Sequence, residues 1–353
     1  MSRWQRLLHR PFFIRLFNWE YWSFHTVYIW VYPIWLLLCL RVRSLFFFSA
    51  SNPTIEHGGF LLESKKKIYE IMPPEYYPRT ILVPPGEAAS SIVQKINDAS
   101  LEYPLIVKPD IGGKGRGVKK VNTEQELLSY IQQFPFDMLV QSFVPFEEEV
   151  GIFYYRYPDE ARGHISGIVG KHFLQVRGDG RSTIEELLLK EKRYILQIPA
   201  LQEMLGNGLQ EVLREGEERV LVPYGNHARG AMFMDYTHWA DERLVAVIDK
   251  ICQRVPGFYY GRLDIRYRSL ENLKQGKDFS IIELNGAGSE PTHMYDPKYS
   301  IFDAWRLIVR HWLILWRISR RNHAKGIPYM SMKEGLRMFR ETRKYDKMLD
   351  SII

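Results

Sequence analysis

Two short segments in the last third of the chain alternate polar and apolar residues. Arg262 and Asp264 flank one apolar residue, and Glu283 and Asn285 flank another. Because side chains two apart on a β-strand point to the same face, each pair projects together if the segments are strands. If the strands also pair as a hairpin, two carboxylates and an amide oxygen meet beside a guanidinium. Such oxygen ligands suit Mg²⁺, so the sequence predicts a metal site at Asp264, Glu283 and Asn285.

A glycine-rich basic loop follows an apolar segment earlier in the chain. Residues 105–108 are typical of a strand that ends in Lys108, and residues 111–118 read Ile-Gly-Gly-Lys-Gly-Arg-Gly-Val. Glycines allow backbone N–H groups to approach phosphate oxygens, and the two cations add positive charge. The residue order matches neither the P-loop nor G-x-G-x-x-G. We interpret this glycine-rich loop as a phosphate-handling element, with a mobile basic turn as the alternative. Its residues are Gly112, Gly113, Lys114, Gly115, Arg116 and Gly117.

A third segment combines the end of a strand with an acidic cluster. Residues 138–144 are typical of a strand, and Glu147, Glu148 and Glu149 follow before the next strand begins. Backbone groups at a free strand edge can pair with an adenine ring, and a carboxylate beyond them can accept hydrogen bonds from ribose hydroxyls. A solvated acidic turn is the alternative for this pattern taken alone.

In this order, the three features resemble the ATP-grasp superfamily, in particular the carboxylate–amine ligases of the D-alanine–D-alanine ligase and glutathione synthetase type. The resemblance covers residues 101–300. Its most specific part is Gly261-Arg262-Leu263-Asp264 followed by Glu283-Leu284-Asn285. It implies an α+β fold in which two subdomains clasp ATP. The first 100 residues do not look like the substrate domain that usually precedes this fold.

The resemblance also implies roles for individual residues. Asp264, Glu283 and Asn285 would hold two Mg²⁺ ions, with Mn²⁺ as the alternative ion, and Arg262 would face the transferring phosphate. The glycine-rich loop would cover the β- and γ-phosphates of ATP, with Lys114 among the catalytic cations. The other contacts implied are Lys108 at the α-phosphate, Gln141, Ser142 and Phe143 at the adenine, Glu149 at the ribose, Lys171 as a second nucleotide-binding lysine and Arg229 as a phosphate clamp.

The activity implied by this resemblance is acyl activation. A carboxylate attacks the γ-phosphate of ATP to give an acyl-phosphate and ADP, and an amine then displaces phosphate from the acyl carbon. Such transfer depends on charge neutralisation and alignment, so no side-chain nucleophile is required. Two alternatives are a kinase built on the same fold and a non-catalytic ATP-binding module.

Composition limits the class of protein. The chain has 353 residues, of which 46% are hydrophobic and 25% charged, and these values exclude wholesale disorder and a polytopic membrane protein. The net charge of +7 favours an anionic partner, but the basic residues interleave with tryptophans on helical faces, so we expect no nucleic acid. Cys39 and Cys252 fit no metal spacing. Alternating helix-like and strand-like segments over residues 90–300 predict an α+β fold with largely antiparallel sheets.

Aromatic segments at both ends of the chain predict contact with a membrane. Residues 21–40 contain no Asp, Glu, Lys or Arg, a length that can span a bilayer, but His25 and Pro33 interrupt the stretch. A re-entrant or interfacial element is therefore favoured, with a true span or a buried helix pair as alternatives. Residues 305–321 predict either a helix on an anionic membrane surface or one packed on its own domain. Together these features predict a protein at the cytoplasmic face of the membrane, acting on lipid-linked or other envelope carboxylates and amines.

Four segments differ in composition. We assign residues 1–50 to the aromatic segment, 51–100 to a Pro-rich connecting or substrate-side region, 101–300 to the ATP-grasp domain and 301–353 to basic amphipathic helices. The prolines of the connecting region leave room for one short helix at residues 64–71. Lys65, Lys66 and Lys67 on that helix predict a solvated face, with an acidic substrate or lipid headgroup as the alternative partner.

Overall fold

The computed structural model describes residues 10–113, 115–222 and 230–352. The described residues form two compact units. The large unit takes those of Ile34–Val169, Tyr236–Pro291 and Val309–Ile353, and the small unit takes those of Met1–Pro33, Gly170–Asp235 and Thr292–Ile308. The division into four segments by composition stays a prediction.

Helices and strands alternate along the chain, and the prediction of an α+β fold is confirmed. The strands are β1 (Thr80–Val83), β2 (Leu105–Pro109), β3 (Lys119–Val121), β4 (Met138–Ser142), β5 (Glu148–Tyr155), β6 (His164–His172), β7 (Leu174–Arg177), β8 (Glu218–Val222), β9 (Met232–Asp235), β10 (Tyr260–Tyr267) and β11 (Phe279–Asn285). The α-helices are α1 (Pro11–Phe17), α2 (Phe24–Tyr28), α3 (Tyr32–Val42), α4 (Lys65–Ile71), α5 (Ala89–Asp98), α6 (Glu124–Ile131), α7 (Ile184–Lys190), α8 (Lys192–Ile195), α9 (Ile198–Leu205), α10 (Glu242–Gln253), α11 (Leu270–Lys274), α12 (Ile301–Ala324) and α13 (Met332–Asp350).

The first sheet of the large unit has four antiparallel strands in the order β1-β4-β2-β3. Helices α5 and α6 contribute apolar residues at helical spacing to the core of this sheet. The first turn of α6 is capped by Thr123, whose hydroxyl accepts a hydrogen bond from the Glu126 N–H at 3.2 Å. The core residues from the two helices are Ile92, Ile96, Leu127 and Ile131.

The second sheet of the large unit contains β11, β10, β5 and β6 in that order. One face of this sheet is apolar and packs on α10, whose first turn is capped by the Asp241 carboxylate at 2.9 Å from the Leu244 N–H. The alternation of apolar and polar residues along β10 and β11 therefore leaves their polar side chains on the opposite face. The buried residues of the packed face include Ile152, Leu263, Leu284, Leu244 and Ile248.

The small unit has its own apolar core. Strands β7 and β8 form an antiparallel pair, and helices α7 and α9 share a buried cluster with them. Thr183 and Glu186 form reciprocal hydrogen bonds that cap the first turn of α7.

The predicted location at a membrane is wrong. The charge-free stretch forms two short helices, and the longer of these, α3, has only 11 residues. In the part of the chain that the structure describes, no helix has both the length and the apolar character needed to cross a membrane. Trp35 on α3 instead packs on Phe47 and Trp312, with ring centroids 4.7 and 5.0 Å away. Trp35 thus contributes to the packing of the large unit.

The second membrane prediction concerned residues 305–321, which belong to helix α12, and here too the structure shows packing against protein. Within the large unit its residues Ile314, Leu315 and Ile318 are buried, whereas Arg310 and Arg317 are exposed. The apolar stripe of this amphipathic helix therefore packs on its own domain, which was one of the two interpretations of the sequence.

Candidate functional site

The polar residues of β10 and β11 face each other across the two strands. The antiparallel register sets Asp264 opposite Glu283 and Arg262 opposite Asn285. The alternating Leu263 lies in the apolar core, so these four side chains share the other face of the sheet. The predicted pairing of the two strands is confirmed, and the connection between them contains the short helix α11.

Arg262 and Asp264 form a bidentate ion pair on this face. The guanidinium Nε and Nη2 donate to the two carboxylate oxygens of Asp264 at 2.8 and 3.0 Å. Gly151 lies opposite Asp264 on β5, and a Cβ at Gly151 would come within 3.0 Å of Asp264 Oδ1 and 2.7 Å of Val169 Cγ1. Only glycine leaves room for the carboxylate at this position, so the sheet is built around the Asp264 side chain.

Lys65 joins the carboxylate of Glu283 to the glycine-rich loop. Its Nζ lies 3.8 Å from Glu283 Oε1 and donates to the carbonyl oxygens of Gly112 and, at 3.3 Å, Asp110. Asp110 also fixes the start of α4, because its Oδ1 accepts the Lys66 N–H at 2.8 Å. One ammonium therefore lies between the predicted metal face and the predicted phosphate loop.

Nothing in the sequence distinguishes Lys65 from the two lysines that follow it. Lys66 and Lys67 pair with Glu70 and Glu56 on the surface of the molecule, as expected for a solvated helix face. Lys65 differs from Lys66 and Lys67 because its contacts are with residues distant in sequence, such as Gly112 and Glu283. The run of three lysines could have identified it only if the position of α4 against β11 had been known.

Glu63 is a second carboxyl near this group. Burial raises the pKa of the Glu63 carboxyl, and the Glu283 carboxylate raises it further, whereas Lys65 and His57 act in the opposite direction. The segment that precedes α4 therefore brings an additional acidic group into electrostatic range of the predicted metal face.

Lys108 lies buried at the end of β2 with three oxygen partners. Its Nζ donates to the hydroxyl of Tyr69 at 2.9 Å, to Oε1 of Gln141 at 3.0 Å and to the carbonyl oxygen of Ile282 at 3.1 Å. Burial lowers the pKa of Lys108 to about 8, although the Glu283 and Asp110 carboxylates favour its charged form. Its three hydrogens are matched by three acceptors, and they tie β2 and β4 to β11. Contact of Lys108 with an α-phosphate stays a prediction.

The expected free strand edge at Gln141 and Ser142 is wrong. Strand β4 lies between β1 and β2, and the Ser142 N–H donates to the carbonyl oxygen of Arg79 at 2.9 Å. The Gln141 side chain is also occupied, since its Nε2 donates to the hydroxyl of Thr80 at 2.7 Å. Phe143 follows the end of the strand, so any backbone pairing with an adenine would begin there.

Glu149 faces the same polar surface as Asp264. It lies opposite Arg266 on the neighbouring strand, and its Oε2 is 3.5 Å from the Arg266 Nε. Glu149 is buried, and its role at a ribose stays a prediction. Lys171 belongs to β6 and to the small unit.

The glycine-rich loop has the backbone that its composition predicts. Gly112, Gly115 and Gly117 have φ values of +120°, +68° and +66°, in the region that glycine adopts without steric cost. Arg116 is paired with the carboxylates of Asp346 and Asp350 on α13. The two remaining predicted cations, Lys114 and Arg229, lie outside the described residues.

The side chains of β10 and β11 supply only some of the ligands that a hard divalent cation requires. Among the described residues, no three His, Cys, Asp or Glu side chains are grouped closely enough to hold a metal ion. The face offers the carboxylates of Asp264 and Glu283 and the amide oxygen of Asn285. Among the described residues the buried Nδ2 of Asn285 has no hydrogen-bond partner, so this group is able to donate to an acceptor such as a phosphate oxygen. Mg²⁺ commonly takes one or two carboxylates and completes its shell with water and phosphate oxygens, so these residues fit a metal–nucleotide complex.

Comparisons with known proteins gave matches only among solved structures. Neither a scan against protein-family models nor a search of curated proteins gave a match. A bifunctional glutathione synthetase from Pasteurella multocida matches with 13% identity and a TM-score of 0.42 over 74% of this chain and 37% of that one. The VanG D-Ala:D-Ser ligase from Enterococcus faecalis matches with 14% identity and a TM-score of 0.41 over 72% of this chain and 61% of that one. A D-alanine–D-alanine ligase from Bacillus anthracis matches with 14% identity and a TM-score of 0.42 over 74% and 69% of the two chains.

Both enzyme classes named in the sequence resemblance are therefore among these structures. The chain spans less than two thirds of the first two proteins. Because the TM-scores lie at 0.41 and 0.42, an activity for this chain has to be argued from its own side chains.

Proposed function

We propose that this chain is an ATP-dependent ligase that activates a carboxylate as an acyl-phosphate and joins it to an amine. One observation carries the proposal. Asp264, Glu283 and Asn285 share a face with Arg262, and Lys65 joins Glu283 to the Gly112 carbonyl of the glycine-rich loop. The proposed metal ligands, a guanidinium and the glycine-rich loop thus lie together within the large unit, which supports the proposal.

The proposed metal would be held by Asp264, Glu283 and Asn285 together with phosphate oxygens. When bound, Mg²⁺ neutralises phosphate charge and aligns the transferring group. We propose two ions. The residues of the chain would supply the remaining charge, with Arg262 beside the transferring phosphate and Lys65 between that group and the loop. A planar guanidinium can hold two phosphate oxygens at once.

The proposed reaction has two steps. An oxygen of the substrate carboxylate bonds to the γ-phosphorus of ATP while the bond from that phosphorus to the β–γ bridging oxygen breaks, and ADP leaves. The amine nitrogen then bonds to the acyl carbon, the acyl carbon–oxygen bond to the phosphate breaks, and inorganic phosphate leaves as the nitrogen loses a proton. The protein has to align the reactants and exclude water, and no covalent enzyme intermediate is required.

We further propose that one substrate carries an apolar or lipid-like group. Support comes from a cavity of about 910 Å³ in the large unit between α3 and the residues before α13. Ligand sites in proteins commonly have volumes of ~300–1,000 Å³ and mainly apolar walls. No carboxylate among the described residues lines this cavity, and the walls include Leu36, Leu40, Phe46, Tyr329, Met330 and Met332.

The test uses the purified full chain with ATP, Mg²⁺ and pooled extracts of cell envelopes. Phosphate release is followed while mass spectrometry detects new conjugates. We expect turnover that depends on the extract and a product with a new amide bond. Asp264→Asn should abolish turnover, whereas Asp278→Asn, at an exposed turn, should not. A phosphorylated product without an amide, or equal turnover in Asp264→Asn, would overturn the ligase proposal.

A further inference from the structure

The last two turns of α13 lie against the glycine-rich loop. The hydroxyl of Tyr345 donates to the carbonyl oxygen of Ile111 at 2.8 Å. A Cβ on Gly112 would be 3.7 Å from both the Tyr345 ring and Leu349 Cδ2, so these side chains already touch the space beside the loop. Leu349 is fully buried in the core of the four-stranded sheet. The end of the chain is thus packed beside a loop that the sequence assigns to phosphate handling.

Two carboxylates on the same helix hold the arginine of this loop. The Arg116 guanidinium donates to Asp346 through Nη2 and to Asp350 through Nη1 at 2.9 Å. Among the described residues the buried Arg116 Nε has no hydrogen-bond partner, so the two carboxylates engage Arg116 only through Nη1 and Nη2. We call Tyr345, Asp346, Leu349 and Asp350 the C-terminal clamp.

The rest of α13 is firmly attached to the large unit. Ser331 and Glu334 cap its first turn reciprocally, and the buried Met338 lies in the cluster that also contains Phe46. A Cβ at Gly335 would come within 2.2 Å of the Phe46 ring, so helix and ring are in close contact. Because the helix is fixed along its length, the C-terminal clamp ties the loop to a rigid element.

We propose that the C-terminal clamp positions the glycine-rich loop, and that Asp346 and Asp350 compete with nucleotide phosphates for Arg116. This inference rests on the proposed function, since the competitor is the triphosphate of ATP. Carboxylate and phosphate both bind a guanidinium through two parallel hydrogen bonds, and one guanidinium cannot offer the same pair of N–H groups to both. Neutralising the carboxylates therefore frees Arg116 for the nucleotide.

The test compares binding of Mg²⁺–AMPPNP, a non-hydrolysable ATP analogue, to the full-length wild-type chain and to variants by calorimetry. Asp346→Asn/Asp350→Asn should bind about three- to tenfold more tightly, because both ion pairs are partly exposed and individually weak. Asp350→Asn alone, at the exposed end of the helix, should show part of the gain. Glu341→Gln is the matched control, since Glu341 lies on the same helix but faces Arg337 at 3.9 Å, and it should bind as the wild type does.

Arg116→Ala separates competition from a general effect of the helix on folding. In the Arg116→Ala background, Asp346→Asn/Asp350→Asn should leave the dissociation constant unchanged, and Tyr345→Phe should still weaken binding because it releases the loop backbone. Equal affinities of the wild type and Asp346→Asn/Asp350→Asn overturn the inference alone. Failure of the wild type to bind the nucleotide overturns the proposed function as well, so the two failures are distinguishable.

Discussion

Replacing Lys108 by methionine should change how the stability of the protein depends on pH. Methionine keeps the length and apolar stem of the side chain and removes the buried ammonium. In the wild type, burial lowers the pKa of Lys108 to about 8 from the usual 10.5. Tyr69, its closest partner, stays protonated through the range of interest because burial raises the pKa of its hydroxyl.

The direction of the pH dependence follows from the number of protons that the folded and the unfolded protein bind. Below pH 8 the ammonium is charged in both the folded and the unfolded protein. Between the folded pKa of about 8 and the unfolded value of 10.5 the folded state releases its proton first, so the unfolded state binds more protons and stability rises with pH. At ~1.36 kcal/mol per pKa unit, the wild type should gain about 2 kcal/mol relative to Lys108→Met between pH 7 and pH 9.5.

The assay is urea denaturation of both proteins at several pH values, in EDTA and without nucleotide. The difference in unfolding free energy between wild type and Lys108→Met should grow by this amount, whereas Lys277→Met, which changes an exposed lysine, should give a difference that does not vary with pH. A constant difference for Lys108→Met would show that the ammonium is not buried among its three acceptors as described.

Three further changes test the site. Glu283→Gln should raise the Mg²⁺ concentration needed for half-maximal ATP binding by about tenfold or more, measured by titrating MgCl₂ into protein and nucleotide, because loss of even an indirect ligand partner costs that much; an unchanged requirement would remove Glu283 from the metal site. Lys65→Met should weaken ATP binding by about tenfold, as expected for a charge-assisted contact, whereas the surface variant Lys66→Met should not, and equal affinities in calorimetry would contradict the bridging role. Gly151→Ala should lower the unfolding free energy by about 1–3 kcal/mol, because its methyl group would overlap Val169 and the Asp264 carboxylate; an unchanged urea midpoint would refute that overlap.

The alternation of polar and apolar residues was sufficient to predict which polar side chains share a face of the sheet, whereas the metal site itself stays a prediction. Arg262, Asp264, Glu283 and Asn285 each lie two residues from their partner, and a period of two has one structural meaning on a strand. Pairing of the two segments as a hairpin was a condition of that prediction, and the antiparallel register of β10 and β11 meets it. The short helix in the connection did not alter the register between Asp264 and Glu283.

The adenine edge could not be predicted because it depends on a strand from a distant segment. Residues 80–83 lie in a region rich in proline, where the sequence favours irregular structure. They nevertheless form β1, which pairs with β4 from Thr80↔Gln141 to Val83↔Met138. A strand of four residues carries too weak a periodic signal to be recognised from the sequence. This strand nevertheless pairs with the edge of β4 that was expected to be free for an adenine ring.

The membrane prediction failed for a related reason. An aromatic, charge-free stretch has the same composition whether lipid or protein covers it. Pro33 and the turn before α3 divide the stretch, and Trp35 is covered by Trp312 from a helix almost three hundred residues away. Composition indicates that apolar side chains have to be covered, but only the tertiary fold determines whether protein or lipid covers them.

Each of the two facing carboxylates of the candidate site is paired with a cation in the absence of a nucleotide, and this bears on how a nucleotide would bind. Asp264 and Glu283 lie opposite each other, and each has a cation beside it, Arg262 for the first and Lys65 for the second. Without these cations, two carboxylates on neighbouring strands would repel each other. On the proposed function, Asp264 and Glu283 would hold a divalent ion, and Arg262 and Lys65 would then pair with the negative charge of the triphosphate. The same two side chains would then neutralise the site in both states, so replacing either should impair the unliganded fold and the nucleotide complex together.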